Sequence, residues 1–287
     1  MTTEATAPSE LEGAVALLFG EYRESAQAYA DLLASSAVER GLIGPREVPR
    51  LWERHLLNCA AIAPLIPAGS SMVDVGSGAG LPGLVLAIIR PDVSVTLLEP
   101  LQRRVSWLAE AVAALELANV RVVRGRAESI RLGAGAEADG VPPRGFDVAT
   151  ARAVASLGTL ATWCLPLVRA GGLFVAIKGQ SAADELEAAD AVLRGLGATE
   201  WVVQSCGDGV LVEPTTAVVV RAGESAELAA SSSGREGSAG RRSARQGAAR
   251  GGSAGRGSTG DGSAGGRPRG RSGAGGPAGR VGREPGV

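Results

Sequence analysis

Aromatic residues are scarce in this chain: Phe, Trp and Tyr make up 3% of 287 residues, against 45% hydrophobic residues in total. A core of this composition is filled by Leu, Val and Ala. No run of about twenty apolar residues occurs, so no membrane span is expected. The first residues, MTTEATAPSELEG, are polar and acidic and lack the basic-then-apolar pattern of a secretory signal. Cysteine is rare as well. Cys59, Cys164 and Cys206 are odd in number and scattered, with no C-x-x-C pair, which points to a reducing cytoplasm and against a metal site. The chain has one lysine, Lys178, and one histidine, His55.

Charge is distributed unevenly behind a net of −1. Glu224 to Val287 holds 11 Arg and 5 acidic residues, a net of +6, which leaves 18 basic and 25 acidic residues before it, a net of −7. That last stretch is Gly, Ser, Ala and Arg with almost no large apolar residue. It cannot bury enough surface to offset its ordering entropy, so 224–287 reads as a disordered basic tail. Residues 1–66 read as a helical segment packed on a catalytic domain at 67–223. Within the former, 10–41 has apolar residues at helical spacing with Gly41 as C-cap, and a second helix is expected over Arg46–Ala63, between Pro45 and Pro64.

From Ser71 the rhythm becomes strand, turn, helix. SMVDVG, SVTLLEP, NVRVVRG, FDVATARA and GGLFVAIKG read as strands, interleaved with helices at LPGLVLAIIR, LQRRVSWLAEAVAALEL, SLGTLATWCLPLVR and SAADELEAADAVLRGLG. Such alternation implies a doubly wound α/β sheet, mostly parallel, with right-handed crossovers. The last two strands, TEWVVQSC and TTAVVVRA, have no helix between them and predict an antiparallel addition at the sheet edge.

The sharpest local feature is the run Val73 to Gly83, VDVGSGAGLPG. Glycines at a strand-to-helix turn bend the chain sharply and let a ligand approach its backbone, and Pro82 suits the first helical turn. Two ligands compete. A dinucleotide would use Gly78-x-Gly80-x-x-Gly83 to seat a pyrophosphate at the helix N-terminus. S-adenosylmethionine would use Gly76-x-Gly78-x-Gly80, with Asp74 facing its cationic end. A carboxylate helps a cation and opposes a diphosphate, and the helix-free closing strands match the class I methyltransferase (Rossmann-like) arrangement, so the methyl donor is preferred. Glu99, about twenty residues on at the tip of the second strand, is placed to accept from ribose hydroxyls in either case. After the third strand, Ala127 and Glu128 in Gly125-Arg126-Ala127-Glu128 are candidate adenine contacts, with a plain turn as the rival.

Together with Ala151-Arg152-Ala153-Val154-Ala155-Ser156-Leu157, Arg54-His55-Leu56, Leu97-Leu98-Glu99-Pro100 and Lys178-Gly179-Gln180, the glycine run gives a chain that over roughly 15–222 resembles the RsmG (GidB) family. The resemblance implies a bacterial enzyme that methylates guanine N7 in the 530-loop region of 16S ribosomal RNA. It implies Gly76 and Leu81 in the donor pocket, Ala127 and Glu128 at the adenosine, and Arg152 beside donor and incoming base. Leu57 and Asn58 depart from the Asp and Ser that members often carry, and His55 is read as a packed or hydrogen-bonded structural residue. The basic tail is not shared.

Guanine N7 has a free lone pair and no proton to lose, so alignment rather than a general base is the expected source of catalysis. Arg152 and Lys178 are assigned to RNA phosphate or guanine O6. The acidic body opposes approach to RNA. Arg103, Arg104, Arg121, Arg124 and Arg126, or the tail, are the features that can offset it, with 16S RNA or the 30S particle as partner. Trp52, Trp107, Trp163 and Trp201 read as core or interface. A methyltransferase for a small molecule or protein and a dinucleotide oxidoreductase stand as alternatives.

Overall fold

The computed structural model describes residues 5–136, 141–152 and 155–224; the expected disordered tail beyond 224, and Ala153 and Val154, lie outside them. Helix α1 (Glu12–Phe19) and helix α2 (Arg23–Leu32) come from the single helical run expected at 10–41. They are separated because Gly20 takes φ +50°, a left-handed backbone that a helix cannot pass through. Helix α2 runs on into wider, π-type turns at Leu33–Ala37. It stops at Gly41 (φ +68°), where the Leu42 N–H reaches back to the Ala37 carbonyl at 2.8 Å.

The second expected helix is irregular. It starts as a tight 3-10 stretch, Pro45–Arg50, with Pro49 inside; it widens to π-type turns at Leu51–Leu57 and ends as α3 (Asn58–Ala60). Pro49 lacks the N–H that a regular helix needs, which accounts for the tight start.

Seven strands follow: β1 (Ser71–Val75), β2 (Ser94–Glu99), β3 (Val120–Arg124), β4 (Phe146–Arg152), β5 (Val168–Lys178), β6 (Ala198–Cys206) and β7 (Thr215–Ala222). Between them lie α4 (Gly83–Ile89), α5 (Gln102–Ala114), α6 (Leu157–Cys164) and α7 (Ala182–Gly195). The sheet order is β3-β2-β1-β4-β5-β7-β6. β3 to β5 are parallel neighbours, whereas β7 is antiparallel to both β5 and β6. The closing pair therefore lies at the edge as expected, but its last strand is one place in, and β6 forms the border. β5 also begins earlier than the sequence pattern indicated. Pro166 ends the preceding helix in a 3-10 turn, Leu165–Leu167, and the chain pairs with Phe146 from Val168 onward.

Alternate residues of each strand feed two cores. Met72, Leu97, Val148 and Val175 pack with the N-terminal helices, α4 and α5. Val73, Val75, Ala149 and Phe174 pack with α6 and α7. The N-terminal segment is thus continuous with one sheet core. Trp52 and Trp107 are buried in it and donate to the Ala5 carbonyl and the Ser36 hydroxyl at 2.6 and 2.9 Å.

At Gly83 an added Cβ would lie 2.4 Å from Leu97 Cδ2 and 2.7 Å from Asp74 Oδ2. Helix propensity alone would favour alanine there, but overpacking decides. Gly83→Ala is expected to destabilise by about 1–3 kcal/mol, read as a lower midpoint in urea; an unchanged or raised midpoint would show that the helix start can move away.

Candidate active site

The parallel strands bring their C-terminal ends to one edge, and Asp74, Glu99, Arg152 and Lys178 all sit there. Such an edge, at the point where crossovers change direction, is where doubly wound sheets bind ligands. Gly76, Gly78 and Gly80 take φ of +73°, +58° and +88°, a backbone that L side chains rarely adopt. Their turn is tied down from several sides. The N–H groups of Gly76 and Ser77 reach the Leu98 carbonyl, and the Tyr29 hydroxyl donates to the Ala79 carbonyl at 2.6 Å.

Asp74, expected to face the cationic end of the donor, has a place inside the fold. Its side chain is fully buried; Oδ2 accepts from the Gly83 N–H at 3.1 Å, and Oδ1 accepts from the Thr150 hydroxyl at 3.4 Å. Burial raises its carboxyl to about 7, while the bonds from Gly83 and Thr150 and the charge of Arg152 pull the other way. This geometry excludes the dinucleotide reading. The N-terminus of α4, where a pyrophosphate would sit, is already filled by an acidic side chain, and Gly83 has no free space over it.

Gly78 differs from Gly80 and Gly83. A Cβ on it would meet nothing nearer than the Gly76 carbonyl at 3.8 Å, so its open side is available to a ligand. Beside it the Glu99 carboxylate, 1% exposed, accepts from the Gly78 N–H through Oε2 and the Leu101 N–H through Oε1, each at 3.0 Å. Arg104 lies 3.6 Å from the same carboxylate. Each carboxylate oxygen has a second lone pair, so Glu99 can also accept from vicinal hydroxyls. Ala127 is buried at the start of a short turn after β3, and Glu128 beside it is exposed. An open glycine cradle, a buried acceptor at the tip of β2 and a small apolar residue at the tip of β3 fit S-adenosylmethionine. Among the described residues no cluster of three or more His, Cys, Asp or Glu could hold a metal ion, and no helix is long and apolar enough to cross a membrane.

On the other side of the cradle is a cavity of about 600 Å³, lined among others by Glu47, His55, Arg152, Lys178 and Glu185. Arg152, half-buried, donates to the Cys59 sulfur at 3.2 Å and to the backbone carbonyl and Nδ1 of His55. The other imidazole nitrogen faces Glu47 Oε2 at 2.9 Å. Burial first, and then Arg152, hold the His55 pKa below the ordinary histidine range. Lys178 lines the cavity, but its ammonium is turned to Glu185 Oε2 at 2.7 Å and the Ala155 carbonyl at 2.9 Å. With three donors it retains one for a ligand.

Sequence reasoning brought Asp74, Glu99, Arg152 and Lys178 to this edge and did not find Tyr29, Glu47, Cys59, Thr150 or Glu185. Glu47 and His55 are brought together by irregular turns that no periodicity announces, and Tyr29 and Cys59 look like ordinary core residues.

The sheet order with its inset antiparallel strand, and the cradle closed by a buried acid at β2, define a class I S-adenosylmethionine-dependent methyltransferase. The family model described as "rRNA small subunit methyltransferase G" (GidB) matches residues 22–212. The chain belongs to that family. Curated relatives carrying the name ribosomal RNA small subunit methyltransferase G include one from Salinispora arenicola, 58% identical over 76% of this chain and 89% of the relative. Those from Streptomyces coelicolor and Mycobacterium leprae are 51% and 50% identical, over 72% and 74% of this chain and 83% of each relative.

The raised carboxyl of Asp74 has a consequence for stability. Its folded pKa of about 7 lies above the 3.8 of a free Asp. Its proton therefore stabilises the fold fully below about pH 4, and that contribution fades as pH rises toward 7. Asp74→Asn keeps an acceptor for the Gly83 N–H and cannot titrate. The wild type is expected to lose stability between pH 5 and 7.5 relative to this variant, by a fraction of the ~1.4 kcal/mol per pH unit that one proton can contribute. Parallel unfolding curves across that range would show that Asp74 stays ionised.

Proposed function

We propose that this chain transfers a methyl group from S-adenosylmethionine to N7 of a guanine in the 530-loop region of 16S ribosomal RNA, acting in the cytoplasm on RNA held in the small-subunit particle. The observation that carries this reading is the pairing of two features at one sheet edge in a member of this family. One is the Glu99–glycine cradle; the other is the cavity into which the half-buried Arg152 projects.

Gly76, Gly78, Gly80 and Leu81 line the donor side, Glu99 accepts from its ribose hydroxyls, and Ala127 and Glu128 border the adenine. Asp74 acts from beneath the loop, as a buried hydrogen-bond acceptor that fixes its shape. The bound donor supplies an electrophilic methyl on a sulfonium centre. On the acceptor side, N7 attacks through a lone pair with no proton to remove, so the cavity needs no general base. Its task is alignment, which can lower a barrier by several kcal/mol. The guanidinium of Arg152 and the remaining ammonium proton of Lys178 are suited to O6 of the purine or a flanking phosphate.

The cavity opens into a groove of about 860 Å³ between the N-terminal helices and the β6–β7 connection, sharing Arg54, Asn58 and Lys178 with it. We assign this groove to the RNA strand flanking the target. The Arg-rich tail adds sequence-independent attraction to phosphate, which offsets the acidic body.

Three measurements test this reading. Purified small-subunit particles lacking the modification, incubated with the protein and labelled donor, should gain one N7-methylguanine in the 530 loop. Label at another base, in protein or nowhere would sink the assignment. Glu99→Gln, which replaces one of the two accepting oxygens by an amide nitrogen that can only donate, should weaken S-adenosylhomocysteine binding by roughly tenfold in calorimetry, with circular dichroism checking that the variant is folded. For the tail, removing 224–287 should reduce affinity for the RNA and flatten its salt dependence, with donor binding unchanged; equal affinity across a salt series would make it a spacer.

A further inference from the structure

Arg152 is held in an unusual way for a half-buried cation. Its partners are the Cys59 sulfur and the carbonyl and Nδ1 of His55, all neutral acceptors, and no carboxylate pairs with it among the described residues. The protonation of His55 follows from this. A guanidinium only donates, so the Nδ1 facing it must present a lone pair. The ring proton is then on Nε2, where it meets Glu47 Oε2 at 2.9 Å. Glu47 fixes the tautomer, and the tautomer fixes the acceptor that Arg152 uses.

Three separate elements are involved: the 3-10 stretch Pro45–Arg50, the π-type turns Leu51–Leu57 and the last residue of β4. A π-type stretch inside a helix is a frequent mark of a functional site. The charged groups facing His55 are Glu47, Arg54 and Arg152. An imidazolium would carry a proton on Nδ1 directly against the guanidinium, so protonation and this contact exclude one another.

We propose that Glu47 and His55 are positioning residues, a relay that aims the Arg152 guanidinium into the acceptor cavity. The proposal rests on the reading that this cavity receives the guanine. A histidine kept only for packing would need neither a fixed tautomer nor an acceptor turned to β4.

The test uses full-length wild type, His55→Asn, His55→Phe, Glu47→Gln and Arg152→Gln. Each is measured for S-adenosylhomocysteine binding, thermal unfolding and methylation of small-subunit particles from pH 5 to 8. Asn places its amide oxygen near the position of Nδ1, whereas Phe fills the space with no acceptor. His55→Phe should lower kcat/KM for the particle by roughly ten- to a hundredfold with cosubstrate binding unchanged, and His55→Asn should recover most of that loss. Wild-type activity should fall on the acid side as His55 protonates. That limb should be absent in His55→Asn, and in Glu47→Gln it should move to lower pH, because the Glu47 charge favours the imidazolium.

Equal activity of wild type and His55→Phe, or equal loss in the Phe and Asn variants with an unaltered acid limb, would overturn the relay. If His55→Phe does not fold, the acid limbs of wild type and Glu47→Gln decide the matter. Should Arg152→Gln methylate the particle like wild type, the error lies instead in placing the guanine in this cavity.

Discussion

The buried bond from the Gly83 N–H to Asp74 is the constraint on which the site depends. It joins the tip of β1 to the first residue of α4, and Thr150 brings β4 to the same carboxylate. A buried carboxylate without such partners is strongly disfavoured, so its donors are held close and the strand and helix ends cannot drift apart. Residue 83 must then be glycine for lack of space, and Gly76, Gly78 and Gly80 must turn left-handed to span the gap in so few residues. Tyr29 adds a bond to the outside of the same loop, which is how the N-terminal helices come to support the donor cradle. The same carboxylate decides ligand class. It fills the anion seat of α4, and what remains open is Gly78 with Glu99 beside it.

The glycine turn and the sheet were readable because each rests on a local rule. The turn needs glycines at fixed steps, and each buried parallel strand is a short apolar run bounded by turn residues, as in SVTLLEP and NVRVVRG. Glu99 was readable from its distance to the loop alone. The role of Asp74 was not. Its position at the end of β1 was evident, but the direction of its side chain depends on how α4 packs, which the run VDVGSG does not encode. The break at Gly20 and the irregular turns from Pro45 to Leu57 were missed for a related reason. Apolar spacing tolerates a kink or a widened turn without visible change, and the register of His55 against Glu47 and Arg152 is set by tertiary packing. Lys178 was placed at the correct edge, whereas the partner that holds it, Glu185, comes from α7 and shares no sequence pattern with it.

Charge ties the two halves of the site together. Methyl transfer from a sulfonium to guanine N7 moves a positive charge from one side of the sheet edge to the other without a proton leaving. A strongly cationic cavity would attract RNA and then oppose the product, because the purine itself becomes cationic. The cavity avoids that conflict. Its lining holds three basic side chains, Arg54, Arg152 and Lys178, and two acidic ones, Glu47 and Glu185, with the His55 pKa lowered by burial and by Arg152. Attraction for the phosphate backbone is then best supplied outside the cavity, where added positive charge does not act on the ring at close range. Under the proposed function, an acidic body with an Arg-rich extension meets both demands, which a uniformly basic domain would not.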